Sequence, residues 1–448
     1  MEKRSIGYEA LRVYVRFAFW LTHRRVIVIG RDLIPKNQPI IFAANHQNAL
    51  MDPLALVCTN PLQTLWLARA DIFKSGLTKP ILKFMKMLPI YRIRDGKENL
   101  NNNEEVFDLV TKVLKNGGST ALFPEAAHSG KRQMLPHKKA IPRIALEAEA
   151  KNQFQLGIRI VPVGIYYDHY WHFNRTLMVQ YGESIGINQY RERWAENAQN
   201  TMIALRDEIQ CILQPLTMQI NSTQYYQDYE DIRMVATEEY SHYHFFNSNP
   251  WLQEFHAGQE FVNEIEKFQA EQPEGFDLLR KSCTAYINGL KKFGYSNAQV
   301  VKAGRTGFYK LPVQFCKALI TSPLLVAGFL ACILPYALPR VLLAGKVKDP
   351  AFKSTFIFVS GLLLFPIFFL LESLLIGILS GSVMVATISF AAMPFLGKFA
   401  FHLFEFDQNL LKMFKLKTVH KSIFLQLGKA RLAVLELVPG KQGVWVGS

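Results

Sequence analysis

The stretch PIIFAANHQNALMDPLALVC, residues 39–58, changes its period half way along. The opening PIIFAAN is an apolar run of strand length, and Asp52-Pro53 then forms a helix N-cap and first-turn pair ahead of PLALVC. A strand that feeds a helix through a short turn is the repeating unit of an α/β sheet. The turn holds His46 and Asp52. On one continuous helix a six-residue offset rotates the side chain by about 240°, so the two would not face each other. A helix that starts only at Asp52 leaves His46 in the preceding turn, where a carboxylate at the helix start is able to orient the imidazole. Taken alone, the stretch fits a capped helix beside an ordinary turn histidine equally well.

Working outward, β-rich runs alternate with helical patterns from about 24 to 215. Strands are expected at 25–30 (RVIVIG), 39–45, 63–68 (QTLWLA), 88–93 (LPIYRI), 119–125 (STALFPE), 158–167 (IRIVPVGIYY) and 176–182 (TLMVQYG). Apolar residues at helical spacing mark one helix through Val106, Val110 and Val113 and another through Trp194, Ala198, Met202, Leu205 and Ile209. Residues 216–310 are polar and tyrosine-rich, and read as a helical cap or linker region.

The formal charge of +15 over 448 residues calls for an anionic partner. Residues 1–31 set seven Lys and Arg against two Glu, interleaved with Tyr14, Phe17, Phe19 and Trp20, the pattern of a basic amphipathic segment on an anionic bilayer. A buried helix with one solvated face is the alternative. No signal peptide fits, because Arg16 interrupts the apolar run and no small-residue cleavage site follows. The five cysteines are scattered without CxxC spacing, so neither a disulfide framework nor a zinc site is expected.

Residues 311–400 form a hydrophobic membrane region whose only charges are Lys317, Arg340, Lys346, Lys348, Asp349, Lys353, Glu372 and Lys398. The part from 355 to 397 is long enough for two helices of about 20 residues, joined near LSGS at 379–382. Pro323 and Pro335 interrupt 311–338. The four cations of the following connector favour the cytoplasmic side, so this first part is expected to be a re-entrant or interfacial hairpin and the second a two-pass hairpin. Residues 401–448 are left as a basic C-terminal tail.

Other strand ends collect suggestive groups. LPIYRIRD carries Arg92 and Arg94 on one face, two planar forks suited to phosphate. FPEAAHSGKR brings Glu125, His128, Lys131 and Arg132, and VPVGIYY ends a buried strand. Open α/β sheets gather ligand groups at such ends. Surface ion pairs, a solvated basic loop and a core strand are the plainer readings.

NHQNALMD, LPIYRIRD, FPEAAHS and VPVGIYY, in this order over about 35–215, resemble the PlsC-like glycerolipid acyltransferase family. The chain differs from most of that family in having five residues between His46 and Asp52 where four are usual. The longer spacing is similar to a branch of fungal glycerol-3-phosphate and dihydroxyacetone-phosphate acyltransferases with bacterial relatives. Ala126 stands where the family has Gly, and His128 where it has Arg.

The resemblance implies an α/β fold, a mixed sheet flanked by helices over 32–215, with a helical membrane-associated C-terminal region. It implies acyl transfer from a thioester, acyl-CoA or acyl carrier protein, to the hydroxyl of glycerol-3-phosphate or 1-acylglycerol-3-phosphate, with the catalytic domain on the cytoplasmic face. His46 would be the base and Asp52 its orienting partner. Arg92, Arg94, Glu125, His128, Lys131 and Arg132 would bind the acceptor. Neither a cofactor nor a metal is called for, and the partners would be membrane lipids rather than nucleic acid, for which no module is visible. A phospholipid transacylase and a degenerate membrane scaffold are the rival readings.

Overall fold

The computed structural model describes residues 5–73, 78–91, 102–171, 173–244, 250–343, 346–347 and 349–439. The chain divides into two compact units, Met1–Thr217 with Leu338–Leu364, and Met218–Ala337 with Phe365–Ser448.

The first unit is built on one mixed sheet. Its strands are β1 (His23–Ile29), β2 (Ile40–Ala44), β3 (Leu65–Arg69), β4 (Met87–Ile90), β5 (Ser119–Leu122), β6 (Arg159–Tyr167), β7 (Arg175–Tyr181) and β8 (Ile185–Gly186). They run in the order β1-β7-β6-β2-β5-β3-β4, with β8 beside β6. From β6 across to β4 every neighbouring pair is parallel, whereas β7 and β8 pair antiparallel with β6. The carboxyl ends of β2, β3, β4, β5 and β6 therefore share one edge, and the antiparallel turn of β7 brings its first residue, Arg175, to that same edge.

Helices α1 (Ile6–Thr22) and α2 (Met51–Thr59) pack on one face of the sheet, where Phe19, Phe42, Leu56, Val161 and Tyr181 share a core. On the other face α4 (Asn102–Lys115), α5 (Ala140–Lys151) and α7 (Ala198–Leu213) bury Val110, Leu114, Ile144, Leu205 and Ile209 against Ile41 and Ile160. Short α3 (Thr78–Phe84) precedes β4 and short α6 (Arg191–Glu196) precedes α7. Because β2 and β6 are covered on both faces, their residues are almost continuously buried, which is why they read as unbroken apolar runs.

The expected segment 1–31 does not form a piece of its own. Thr22 ends the helix and the residues from His23 form the strand that pairs with β7. One face of α1 is buried at Tyr8, Arg12, Val15 and Phe19, while Ile6, Val13 and Trp20 on the other are exposed.

The second unit contains α8 (Tyr226–His244), α9 (Pro250–Glu271), α10 (Pro273–Phe293) and α11 (Asn297–Arg305). Three long apolar helices follow, α12 (Leu311–Leu343), α13 (Pro350–Ser380) and α14 (Val383–Lys417), and then α15 (Lys421–Leu437). The spans Phe308–Leu342, Ala351–Ser380 and Val383–Lys417 are each long and apolar enough to cross a membrane. Instead of the expected hairpin, α12 is one helix through Pro323 and Pro335. Each proline removes a single hydrogen bond, and an apolar stretch offers the backbone no better partner than the helix itself.

The break between α13 and α14 falls at Gly381, whose positive φ of 65° closes the first helix while the Ser382 hydroxyl accepts the Val385 N–H to open the second. The stretch expected to be a tail is helical as far as Leu437, and α15 packs on α10.

Candidate active site

Asp52 is the pivot of the carboxyl edge. Helix α2 begins two residues earlier than the sequence suggests, with Leu50 rather than Asp52 at the N-cap, so Asp52 lies inside the first turn and its carboxylate reaches back over the turn that follows β2. Its Oδ2 accepts the Gln47 and Asn48 N–H groups, both at 2.7 Å, and His46 Nδ1 at 2.9 Å. Two successive backbone N–H groups make a concave anion seat. Ala49 takes a positive φ of 38°, and Met51 N–H closes the turn on the Asn48 carbonyl at 2.9 Å. The five-residue spacing is thus absorbed by the turn, and the dyad closes.

A carboxylate only accepts, so its contact requires the proton of His46 on Nδ1 and leaves the Nε2 lone pair able to take a proton. The Asp52 side chain is 1 % exposed and that of His46 16 %, so the imidazole remains reachable while its partner is sealed. Phe123, one residue past β5, stacks on the His46 ring at 4.1 Å and 15°. Behind the dyad Tyr167 is fully buried; burial, with the nearby Asp52 charge adding to it, lifts its hydroxyl well above its ordinary range and keeps it protonated. Arg175 lies over the Tyr167 ring at 4.7 Å and donates to His23 Nε2 at 3.2 Å and to the Tyr170 carbonyl, placing a buried cation beyond the carboxylate.

Glu125, 2 % exposed, ties β5 to its surroundings. Oε1 accepts the His46 N–H and Oε2 the Leu135 N–H, each at 2.8 Å. Burial pushes its carboxyl up to about 8 against the pull of those two N–H groups, with Asp52 adding to the rise. Next along, Ala126 has φ 57°, a left-handed conformation that costs a residue with a Cβ about 1 kcal/mol. Ser129 N–H reaches the His46 carbonyl at 3.3 Å and Gly130 N–H that of Gln47 at 3.1 Å, so this loop lies along the dyad's turn. The Ala126 N–H is used by Phe123 O at 3.2 Å. Those of Ala127 and His128 have no acceptor among the described residues.

The other expected binding residues divide. His128 stands beside the dyad, its ring centroid 5.7 Å from that of His46, and its Nε2 is 3.0 Å from Asp349 Oδ2. Lys131 is exposed on the same loop. Arg132 departs from expectation: it is 2 % exposed, its two terminal nitrogens donate to the Tyr167 and Asp168 carbonyls at 2.9 Å, and Tyr166 and Tyr170 sandwich it. These bonds fasten it to the end of β6. Arg92 and Arg94 lie outside the described residues, although β4, which precedes them, ends on the same edge. Phe123, Tyr167, Arg175 and Asp349 were not singled out by the sequence, although Phe123 opens the FPEAAHS motif and Tyr167 closes VPVGIYY.

The sequence model of the acyltransferase family matches residues 25–166. The chain is 24 % identical over 183 residues to a 1-acyl-sn-glycerol-3-phosphate acyltransferase of Borreliella burgdorferi, covering 41 % of this chain and 67 % of that one. It is 28 % identical over 109 residues to glycerol-3-phosphate O-acyltransferase 2 of Saccharomyces cerevisiae, covering 24 % of this chain and only 14 % of the yeast protein. The crystal structure of the 1-acyl-sn-glycerophosphate (LPA) acyltransferase PlsC of Thermotoga maritima aligns with a TM-score of 0.34 at 19 % identity, over 48 % of this chain and 82 % of that one. Four ordered motifs fall in the matched region, the last ending one residue beyond it, and the histidine and carboxylate of the first are in contact, so the chain carries over residues 25–166 an acyltransferase-family domain similar to the PlsC-like glycerolipid acyltransferases.

Proposed function

We propose that the chain transfers a fatty acyl group from a thioester, acyl-CoA or an acyl carrier protein, to the hydroxyl of glycerol-3-phosphate or 1-acylglycerol-3-phosphate. The observation that carries this reading is the 2.9 Å contact of His46 Nδ1 with Asp52, which leaves Nε2 as a base at the carboxyl edge. An alcohol is a weak nucleophile at neutral pH and needs its proton removed as it attacks. Nε2 takes that proton while the acceptor oxygen bonds to the thioester carbonyl carbon. The N–H groups of Ala127 and His128 are the donors suited to the resulting oxyanion. Collapse breaks the C–S bond, and the imidazolium returns the proton to sulfur, releasing an ester and a thiol. Asp52 stabilises the imidazolium between these steps. The chemistry calls for no resident cofactor or metal.

An apolar cavity of about 50 Å³ between α1, α2, β3 and β4, lined by Val15, Leu50, Leu54, Trp66 and Met87, begins on the turn that carries the dyad and suits methylene groups. Arg92, Arg94, His128 and Lys131 are the groups proposed for the acceptor's phosphate. Glu125 acts as a strut rather than a ligand in this reading.

A lipid product agrees with the apolar helices. Within the second unit Gln299 bonds Asn409 at 2.8 Å, Tyr295 bonds His420 at 2.7 Å and Arg431 pairs with Glu239 at 2.5 Å. The chain before α12 and the chain after α14 therefore share one side, which supports an even number of crossings. With four cations in and beside the connector from α12 to α13, the proposed pair is α13 and α14, with the connector and the catalytic domain on the cytoplasmic face. A reactive probe at Lys346 labelled only from outside would overturn that topology.

The test of the activity is transfer from a labelled acyl thioester by the purified full chain to each acceptor in turn. His46→Ala should abolish it without lowering the melting temperature. Wild-type turnover in that variant removes the base assignment, and absence of transfer by the wild type removes the reading.

A further inference from the structure

Asp349, 221 residues from His128 along the chain, enters the catalytic unit from the start of α13. It is held on both sides. One carboxylate oxygen accepts from His128 Nε2 at 3.0 Å; the other accepts the Ala351 N–H at 2.8 Å, and the Asp349 carbonyl accepts the Lys353 N–H at 3.0 Å. Asp349 is thus the cap of α13. Burial tends to raise its carboxyl, but the His128 contact and the Ala351 and Phe352 N–H groups outweigh it and hold the group below its ordinary range.

The helix behind this cap is seated on the same unit through one face, at successive turns. Phe352 meets the His128 ring edge-on at 5.3 Å. Thr355 Oγ1 accepts the N–H of Leu50, in the dyad's own turn, at 3.4 Å. Phe358 is buried against Phe19 at 5.8 Å, and the Leu362 carbonyl accepts the Tyr14 hydroxyl. Positions 352, 355, 358 and 362 follow the three-and-four spacing of a single helix face. The docking of α13 therefore fixes where the Asp349 carboxylate stands relative to His46.

His128 Nδ1 has no partner among the described residues, and its ring lies beside the base. The Asp349 carboxylate only accepts, so it takes the Nε2–H, and a donation from this ring to an arriving anion is made from Nδ1. An arginine would need no such partner, being charged without help.

We propose that Asp349 is a positioning residue for acyl transfer: it holds His128 as the donor to the acceptor's anionic group, so that the site is complete only with the first turn of α13 in place. This rests on the acyltransferase reading above.

The test uses the full-length protein in detergent, a labelled acyl thioester and varied glycerol-3-phosphate or lysophosphatidate. In Asp349→Asn the acceptor KM should rise about tenfold, with kcat and donor KM within about twofold, and Asp349→Glu should recover most of the loss. In a His128→Arg background, Asp349→Asn should change the acceptor KM by less than about twofold. An unchanged acceptor KM in active Asp349→Asn, a loss confined to kcat and melting temperature, or an equal loss in the arginine background overturns the proposal. If His128→Arg is inactive, the glutamate variant decides: no recovery overturns it. A wild type that transfers nothing to any acceptor refutes the acyltransferase reading instead.

Discussion

The Glu125 carboxyl group accepts the backbone N–H of His46 at 2.8 Å, so the end of β5 sets the position of the histidine that follows β2. The other oxygen does the same for Leu135, and a side chain with only one acceptor cannot make both contacts. Glu125→Gln must turn its amide N–H₂ toward one of two backbone donors. The expected cost is about 2 kcal/mol of stability and a fall in kcat of about tenfold or more, with smaller changes in either KM. Thermal unfolding and acyl-transfer kinetics on the same preparation check both.

Asp52→Asn preserves shape but loses the ability to accept three donors at one oxygen. The amide also permits the histidine tautomer with its proton on Nε2, the wrong one for a base. A fall in kcat of about 10³-fold or more is expected, with the variant still folded. A kcat within tenfold of wild type would show that the carboxylate does not set the tautomer.

Ala126 occupies a left-handed conformation at the loop that flanks the dyad. Glycine there removes the Cβ conflict but gives the unfolded chain more freedom, so Ala126→Gly should stabilise by a net of about 0.5–1 kcal/mol. A rise in the melting temperature checks it, and a fall would mean that the methyl packs against something of greater value.

These positions show which parts of the molecule the sequence exposes. The seven longer strands were legible as β-rich apolar runs, unbroken in β2 and β6 because both of their faces are buried, and the two-residue β8 is too short to leave a pattern. Asp52 was legible through its spacing from His46, whereas its true donors, the Gln47 and Asn48 N–H groups, depend on the backbone of the turn. Arg132 drew attention for its charge in a basic loop. What decides its role is the pair of carbonyls at the end of β6, more than 30 residues away. Arg175 and Asp349 belong to the site only through such long-range contacts, and a local pattern carries no trace of them; Phe123 opens a motif, but its stacking on His46 depends on the fold.

Arg132→Lys separates these two roles experimentally. Lysine keeps the charge but not the planar fork that reaches both carbonyls, so stability should fall by about 1–3 kcal/mol while the acceptor KM stays within about twofold. A large rise in acceptor KM at unchanged melting temperature would restore a phosphate role.

His137 and Glu125 give the protein opposed responses to pH. His137 is 5 % exposed, neither ring nitrogen has a hydrogen-bond partner among the described residues, and burial, with Arg206 adding to it, lowers its pKa from 6.5 to about 4. Between those values the unfolded chain binds a proton that the folded chain does not. Stability is therefore full above about 6.5 and is lost as pH falls toward 4, by on the order of 2–3 kcal/mol. Glu125 has the reverse sign: raised from 4.5 to about 8, it keeps a proton in the folded state, and its contribution is full below 4.5 and lost as pH rises through 8. The two slopes oppose each other between 4.5 and 6.5. His137→Phe should therefore remove the acid-side loss and leave a stability that falls steadily from pH 4.5 to 8, whereas Glu125→Gln should leave one that only rises from pH 4 to 6.5. Denaturant melts of wild type and both variants across this range check the signs, and parallel profiles for all three would show that neither group titrates differently on folding.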